Sequence, residues 1–214
     1  MTAPHPASRI ARRGLCLVIA APSGAGKSSI TRALLEGDSN LTPSVSVTTR
    51  KPRPGEREGE HYFFRDMAEF ELMAGAGALL EWAIVFGRGY GTPRAPVEQA
   101  LAAGRDVVLD VDWQGHRALR AALPDDVVSV FVLPPSLAAL EQRLEARAGD
   151  SEEEVARRMR LARAEISHWA EFDYLIVNDV LDDAVAAVRA ILVAARLTVA
   201  RQSGAAAFVA GLTG

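Results

Sequence analysis

Short, continuous apolar runs alternate along this chain with longer segments whose apolar positions recur every three or four residues. The runs at residues 15–21, 107–111, 127–133 and 174–177 are rich in Val, Ile and Leu and show no polar alternation. That pattern predicts strands covered on both faces, as in a parallel sheet wrapped by helices. Residues 27–35, 136–146, 151–170 and 182–201 carry helical periodicity. Ser151 followed by Glu154 predicts a capping box at one helix start. Strand and helix alternating in this order predicts an α/β fold with a parallel sheet and crossover helices.

Between residues 46 and 94 the rhythm breaks. This stretch is rich in Thr, Arg, Pro, Gly and aromatics, with short strand patterns at 62–64 and 79–85 and a helix over 66–73. Its composition predicts a small insertion with structure of its own rather than a linker. A second, charge-dense stretch covers residues 143–163. No internal repeat is visible, and the small, uncharged residues 203–214 carry no readable role.

Composition narrows the classes. The 214 residues allow one well-buried core with small insertions, and 49% hydrophobic with 24% charged residues is ordinary for a globular chain. A net charge of -3 gives no basic excess that would point to nucleic acid, so phosphate chemistry must come from local clusters. Cys16 is the only cysteine, which excludes an intrachain disulfide and reads as a small buried hydrophobe in the first strand. Arg12, Arg13 and the run at 15–21 superficially resemble the start of a secretory signal. The run is short and leads into Pro22-Ser23-Gly24, so residues 1–13 are expected to form a loose basic arm. No stretch approaches the roughly 20 apolar residues that span a bilayer, and the expected compartment is the cytoplasm. The pattern is equally compatible with a monomer and a homo-oligomer.

The strongest chemical signal is Ala21-Pro22-Ser23-Gly24-Ala25-Gly26-Lys27-Ser28, which follows a predicted strand and opens a predicted helix. It matches the phosphate-binding pattern G-x-x-x-x-G-K-[ST], with Ala21 in place of the first glycine. A Gly-rich turn lets backbone N–H groups point inward at phosphate oxygens, and the helix N-terminus adds positive potential. Lys27 is positioned to bridge β- and γ-phosphates, and the Ser28 hydroxyl to help hold Mg²⁺. Asp110 and Asp112 end the run Val-Val-Leu-Asp-Val-Asp, at the crevice end of a parallel strand. There they either orient the water shell of a metal, contact a second substrate, or are simply solvated. Such a loop alone leaves ATPase, GTPase, kinase and motor functions open.

The insertion decides among these. The segment Ser46-Val-Thr-Thr-Arg50-Lys-Pro-Arg53-Pro-Gly-Glu-Arg-Glu-Gly-Glu-His-Tyr62-Phe-Phe resembles the GMP-binding segment of guanylate kinases. The resemblance continues through Glu81-Trp-Ala, Tyr90-Gly-Thr92, Leu-Asp110-Val-Asp112-Trp-Gln-Gly, Arg143-Leu-Glu-Ala-Arg147 and Val-Asn178-Asp179, in order over about residues 15–192. It implies a P-loop NTPase-type parallel sheet core with a small α+β GMP-binding insertion and a helical lid. In these terms residues 14–45, 93–136 and 164–201 form the core, 46–92 the insertion, 137–163 the lid and 202–214 a tail. The activity implied is transfer of the γ-phosphoryl group of ATP to GMP, giving ADP and GDP, with Mg²⁺. ATP and GMP are then the partners, without nucleic acid or membrane.

The resemblance also assigns residues. Residues 21–28 (Ala21, Pro22, Ser23, Gly24, Ala25, Gly26, Lys27, Ser28), Ser29 and Asn178 would bind ATP. Arg50, Arg53, Tyr62 and Tyr90 would hold the GMP phosphate; the guanidinium forks suit a phosphate dianion, and the phenols donate without adding charge. Glu81 would accept guanine N1–H and the exocyclic amine, with Ser46 and Thr92 near O6, and Asp110 would complete the GMP site. Metal contacts would come from Ser28, Asp110 and Asp112, the carboxylates directly or through water. Lys27, Arg50, Arg143, Arg147 and Arg158 would be catalytic. Arg143 and Arg147, spaced i and i+4, share a helix face. Glu154 also stands where it can pair with Arg158 on the helix surface, and Arg157, Arg160 and Arg163 read as a solvated face. Histidines 5, 61, 116 and 168 lack metal-ligand spacing, while Trp113 and Trp169 read as packing residues.

Two competing readings predict different residues. A non-catalytic interaction module of this fold would have a degraded phosphate loop, whereas Gly24, Gly26, Lys27 and Ser28 are intact. A sugar-phosphate enzyme such as a ribose bisphosphate kinase would have no need of Glu81 and the two tyrosines. Departures from the family pattern are Ala21 for Gly, Thr92 for Ser, and Gly89 where an aromatic often precedes the tyrosine, a change expected to loosen that loop.

Overall fold

The computed structural model describes residues 10–146 and 151–214. β1 (Cys16–Ala20) leads through the Gly-rich turn into α1 (Lys27–Gly37), and β2 (Leu41–Pro43) follows. Next come β3 (Ser46–Thr48), β4 (Tyr62–Phe64), α2 (Met67–Gly75), β5 (Leu79–Val85) and β6 (Arg88–Pro93). The chain then forms α3 (Arg94–Ala102), β7 (Asp106–Leu109), α4 (Trp113–Ala122), β8 (Val127–Leu133), α5 (Leu137–Glu145) and α6 (Glu152–Ile166). β9 (Tyr174–Val177), α7 (Leu181–Arg196) and α8 (Ala205–Thr213) complete it.

The core is a five-stranded sheet in the order β2-β7-β1-β8-β9, with every pairing parallel. β1 lies at its centre, so the Gly-rich turn emerges mid-sheet at the carboxyl end, where α/β folds place ligands. Alternation along β1 explains the absence of polar residues. Leu15, Leu17 and Ile19 pack with Ile30 and Leu34 of α1 and Val188 and Leu192 of α7. Cys16 and Val18 face the other way, toward Val97 and Leu101 of α3 and Leu119 of α4. Both faces are covered, and burial pushes the Cys16 thiol up to about 12, so it remains an inert thiol in the core.

Residues 46–93 form a second, four-stranded sheet in the order β4-β3-β6-β5. Here β3 and β4 run parallel, while β6 is antiparallel to both β3 and β5. Its own small core joins Val47, Phe70 and Leu79. α2 is fixed by a full capping box: Asp66 Oδ1 accepts Glu69 N–H at 2.8 Å and Glu69 Oε2 accepts Asp66 N–H at 3.3 Å. A side chain at Gly89 would bring its Cβ within 2.8 Å of the Phe70 ring. Gly89 therefore makes room for the core of the insertion. Its N–H also donates to Thr49 Oγ1 at 2.8 Å and its carbonyl accepts from Thr48 Oγ1 at 3.1 Å, so the expected loosening does not occur. α5 and α6 share a separate cluster of Leu140, Leu144, Val155, Met159 and Ala162.

Several sequence expectations need correction. The strand expected over 107–111 ends at Leu109, leaving Asp110 and Asp112 in the turn before α4. The helices expected to reach 170 and 201 end at Ile166 and Arg196, each followed by a single 3-10 turn. Ser151 caps α6 through Glu154 N–H, but the Glu154 carboxylate turns to Arg157 and Arg158 instead of closing the box. Arg12 and Arg13 are not loose. Arg12 forks onto Asp106 at 2.7 and 2.9 Å, and Arg13 onto Asp126 at 2.8 and 2.6 Å. Residues 1–9 of the expected arm lie outside the described residues. The tail is helical as α8, and its approach is tied by Gly204 N–H donating to Ala11 O at 2.8 Å. Trp113 does pack, stacked on His168 at 3.7 Å, whereas Trp169 is 48% exposed.

Candidate active site

The turn after β1 takes its shape from two glycines in the left-handed region, Gly24 at φ 93° and Gly26 at φ 97°. Gly26 sits at the N-cap of α1, and a Cβ there would run into the Asn178 amide. Asn178, 5% exposed just beyond β9, donates from Nδ2 to Ala25 O at 2.7 Å. The strand two places away in the sheet thus holds the loop, and the positive end of α1 faces what the loop encloses.

That enclosure is a cavity of about 640 Å³ lined by residues 21–24 and 26–29, with Asp110, Arg143, Glu165, Asn178 and Asp179. Lys27 Nζ is ion-paired with the Asp110 carboxylate. Arg143, in the last turn of α5, donates to Asn178 O at 3.1 Å. Arg158 on α6 donates from Nε to Glu154 Oε1 at 3.2 Å, beside the shorter two-bond fork of Arg157. Arg147, assigned to the same face as Arg143, lies outside the described residues.

The insertion gathers the other half. Register places Ser46 beside Tyr62, Tyr90 beside Thr48, and Thr92 opposite Glu81. Arg50 forks onto Glu56 at 2.9 and 2.7 Å and lies 5.2 Å above the Tyr62 ring. The Arg50 fork holds the Glu56 carboxyl down at about 2, and Glu56 also accepts Arg53 N–H at 2.7 Å. Tyr62 and Tyr90 meet edge to face at 6.4 Å. Arg50, Tyr62 and Tyr90 are therefore adjacent, with Arg53 three residues along the same turn.

Glu81 Oε1 accepts the Thr92 hydroxyl at 2.6 Å. Burial pushes its carboxyl above the usual range; the Thr92 hydroxyl pulls it back and the charge of Asp112 adds to the rise. Its other oxygen, Oε2, lies 3.4 Å from where a Cβ on Gly115 would stand, an ordinary contact; the room that Gly115 leaves is taken by Val111, whose Cβ would stand 2.8 Å away. Asp112 caps α4, its Oδ1 accepting Gln114 and Gly115 N–H at 2.9 Å each. The turn from 110 to 115 is thus the bridge between the halves, with Asp110 on Lys27 at one end and Gly115 against Glu81 at the other.

Three participants were missed in the sequence. Glu56 had a weak signal, being the first of three carboxylates that follow Arg50 in a Pro-stiffened turn. Gly115 reads as helix-weakening and signals nothing until Glu81 is seen beside it. Glu165 belongs to an acidic and basic helix where no residue stands out. Of the histidines, His116 stacks on Phe172 at 4.1 Å, and His168 Nδ1 pairs with Glu171 at 2.7 Å.

Comparisons with known proteins converge. A family model described as guanylate kinase matches residues 13–195. A guanylate kinase of Gluconobacter oxydans is 66% identical over 195 residues, 91% of this chain and 94% of the relative. One from Granulibacter bethesdensis is 59% identical over 208 residues, 97% of each chain. The crystal structure of guanylate kinase from Anaplasma phagocytophilum superposes with a TM-score of 0.71 at 35% identity, covering 91% of this chain and 93% of that one. With a matched model over most of its length, full-length relatives and a common architecture, the chain belongs to the guanylate kinase family.

Proposed function

We propose that this chain transfers the γ-phosphoryl group of ATP to the phosphate of GMP, releasing ADP and GDP. The observation that carries the acceptor is the half-buried Glu81 carboxylate, held by Thr92 with one oxygen left to accept. Guanine offers that oxygen an N–H at N1 and another on its amine, whereas adenine presents an acceptor at N1. Ser46 lies in the same small sheet, and Arg50, Arg53, Tyr62 and Tyr90 would grip the GMP phosphate.

In the reaction an oxygen of the GMP phosphate bonds to the γ-phosphorus as the bond to the β,γ-bridging oxygen breaks, leaving the electron pair on ADP. The attacking oxygen is already anionic, so no side chain needs to remove a proton. The task is to align two anions and neutralise the charge that develops. Lys27 would leave Asp110 for the β- and γ-phosphates, cradled by residues 21–29. Arg143, Arg147 and Arg158 would close from α5 and α6, the proposed lid over 137–163, onto the transferring group and shut out water. Asn178 would border the adenine while holding the loop through Ala25.

Ser28 and Asp110 offer hard oxygens beside Lys27, the donor type that suits Mg²⁺ held jointly with phosphate oxygens. Bound there with ATP, Mg²⁺ would draw negative charge from the phosphates, and Asp112, whose Oδ1 is engaged at the helix cap, would offer it Oδ2 directly or through water. The proposal includes action in the cytoplasm on small-molecule substrates, without nucleic acid or membrane. Among the described residues no helix is long and apolar enough to cross a membrane.

The test is ADP release from ATP and Mg²⁺ with GMP, AMP, CMP, UMP or ribose 1,5-bisphosphate supplied separately. Turnover with GMP alone is expected. Turnover with the sugar bisphosphate would overturn the acceptor, and no turnover in protein that binds ATP would favour a non-catalytic module.

A further inference from the structure

Glu165, the penultimate residue of α6, faces the phosphate cavity yet has no part in the assignments above. Among the described residues its Oε2 is buried without a hydrogen-bond partner. Buried carboxylate oxygens are ordinarily paired, so this one calls for a physical reason. Burial pushes the carboxyl upward, opposed by the Ser23 amide and the Lys27 charge, and Asp112 adds to the rise. Lys27 makes its ion pair with Asp110, so Glu165 feels that cation at longer range. Among the described residues the cavity wall carries Lys27 and Arg143 against Asp110, Glu165 and Asp179. An anion-binding cradle lined by more carboxylates than cations is electrostatically poised against its own ligand.

We infer that Glu165 is an anionic placeholder, a carboxylate that rests against the phosphate loop in the free protein and withdraws when a nucleotide's phosphates enter. Its carrier gives the withdrawal a consequence. Arg158 lies two turns earlier on α6, on the same helical face. Phosphates that push Glu165 aside therefore shift the helix that bears a lid arginine. Glu165 is a positioning residue, acting on nucleotide affinity through charge rather than on the reacting atoms. The inference rests on the proposed function for the identity of the ligand, but its test reads binding alone.

The experiment is calorimetric titration of wild type, Glu165→Gln and Glu165→Ala with adenosine, ADP and β,γ-imido-ATP, with and without Mg²⁺. Removing one unpaired charge from the cavity is expected to tighten β,γ-imido-ATP about fivefold without Mg²⁺. The gain should shrink with ADP, shrink again when Mg²⁺ is present, and vanish with adenosine. Both variants should show it, with melting temperatures near wild type. Unchanged affinity for β,γ-imido-ATP would overturn the inference. So would equal weakening of all three ligands with a lowered melting temperature, which would mark a structural residue. Weakening confined to the Mg²⁺ titrations would make Glu165 part of the metal's shell and equally overturn it. Wild type that binds β,γ-imido-ATP but leaves GMP untouched would refute the proposed reaction and leave this inference standing.

Discussion

Glu81→Gln is the substitution that interrogates the acceptor site most directly. The wild-type carboxylate has one oxygen committed to the Thr92 hydroxyl at 2.6 Å and the other available to guanine. A glutamine has the same shape but only one accepting atom. If its carbonyl keeps Thr92, its NH₂ faces the guanine N–H groups, donor against donor. If it turns over, the Thr92 hydroxyl must find a different acceptor and only one neutral hydrogen bond reaches the base. A lost charge-assisted bond is worth about 1.5–3 kcal/mol and an unpaired buried donor about 1–3 kcal/mol. Together these give roughly 3–5 kcal/mol, or about 10²- to 10⁴-fold in kcat/KM for GMP. KM for ATP should stay within about twofold, since Glu81 belongs to the other half of the site. The pH profile supplies a second readout. Burial raises the Glu81 carboxyl, so in the free enzyme it protonates at a higher pH than an ordinary glutamate. Protonation removes an acceptor, so kcat/KM for GMP should fall on the acid side along a limb set by that raised value. GMP favours the ionised form, so the limb in kcat should lie at lower pH, and the Gln variant should lack it altogether. Steady-state kinetics with GMP varied at saturating ATP measures both. Equal GMP kinetics in wild type and variant would refute the guanine-recognition role.

Lys27→Ala is expected to abolish transfer while the protein stays folded; near-normal turnover in a folded variant would remove the phosphate-loop assignment. Glu56→Gln should raise KM for GMP several-fold with little change in kcat, because the fork that orients Arg50 loses its charge. An unchanged KM would show that Arg50 needs no such orienting partner. Asp106 is fully buried and accepts Arg12, Arg196 and Leu15 N–H. Asp106→Ala leaves Arg12 without its carboxylate and Arg196 with Asp38 alone, and should cost about 3–5 kcal/mol of stability by denaturant titration. A loss below about 1 kcal/mol would show that water takes over the pairing.

The core was legible because its strands are buried on both faces and its loop carries a rigid spacing. The runs at 127–133 and 174–177 match β8 and β9 residue for residue. α3 and α4 were not read as helices, and the reasons are local. Pro96 sits in the first turn of α3, where a missing N–H does no harm but breaks the visual pattern. Gly115 sits inside α4, tolerated there because a Cβ would stand 2.8 Å from that of Val111. The pairing of the insertion was equally hidden, since β3 and β4 are three residues long and set beside each other in parallel by a long turn. Arg12 and Arg13 read as a loose arm because their partners, Asp106 and Asp126, are about a hundred residues away in sequence.

The ligand-free charges have a common arrangement that no motif reveals. Lys27 rests on Asp110, Arg50 on Glu56, and Arg158 on Glu154. These three cations given a phosphate-facing role already have a carboxylate, whereas Arg143 rests on the Asn178 carbonyl. Substrate binding by Lys27 is then an exchange of one anion for another, and its net gain is the difference between a phosphate and a carboxylate on the same guanidinium or ammonium. For Arg50 the fork onto Glu56 and a bond to the Lys51 carbonyl use three of five donors, leaving two for GMP, so the carboxylate orients rather than competes. Lys27 has three donors but a single compact charge, and turning it toward the phosphates frees the Asp110 carboxylate for the metal's side of the site. The two kinds of pair therefore predict opposite responses to neutralisation. Asp110→Asn should ease nucleotide binding in the absence of Mg²⁺ and weaken it in its presence, whereas Glu56→Gln should weaken GMP regardless of Mg²⁺. Titrating each ligand with and without the metal measures this, and the same sign for both variants would refute the distinction between exchanging and orienting carboxylates.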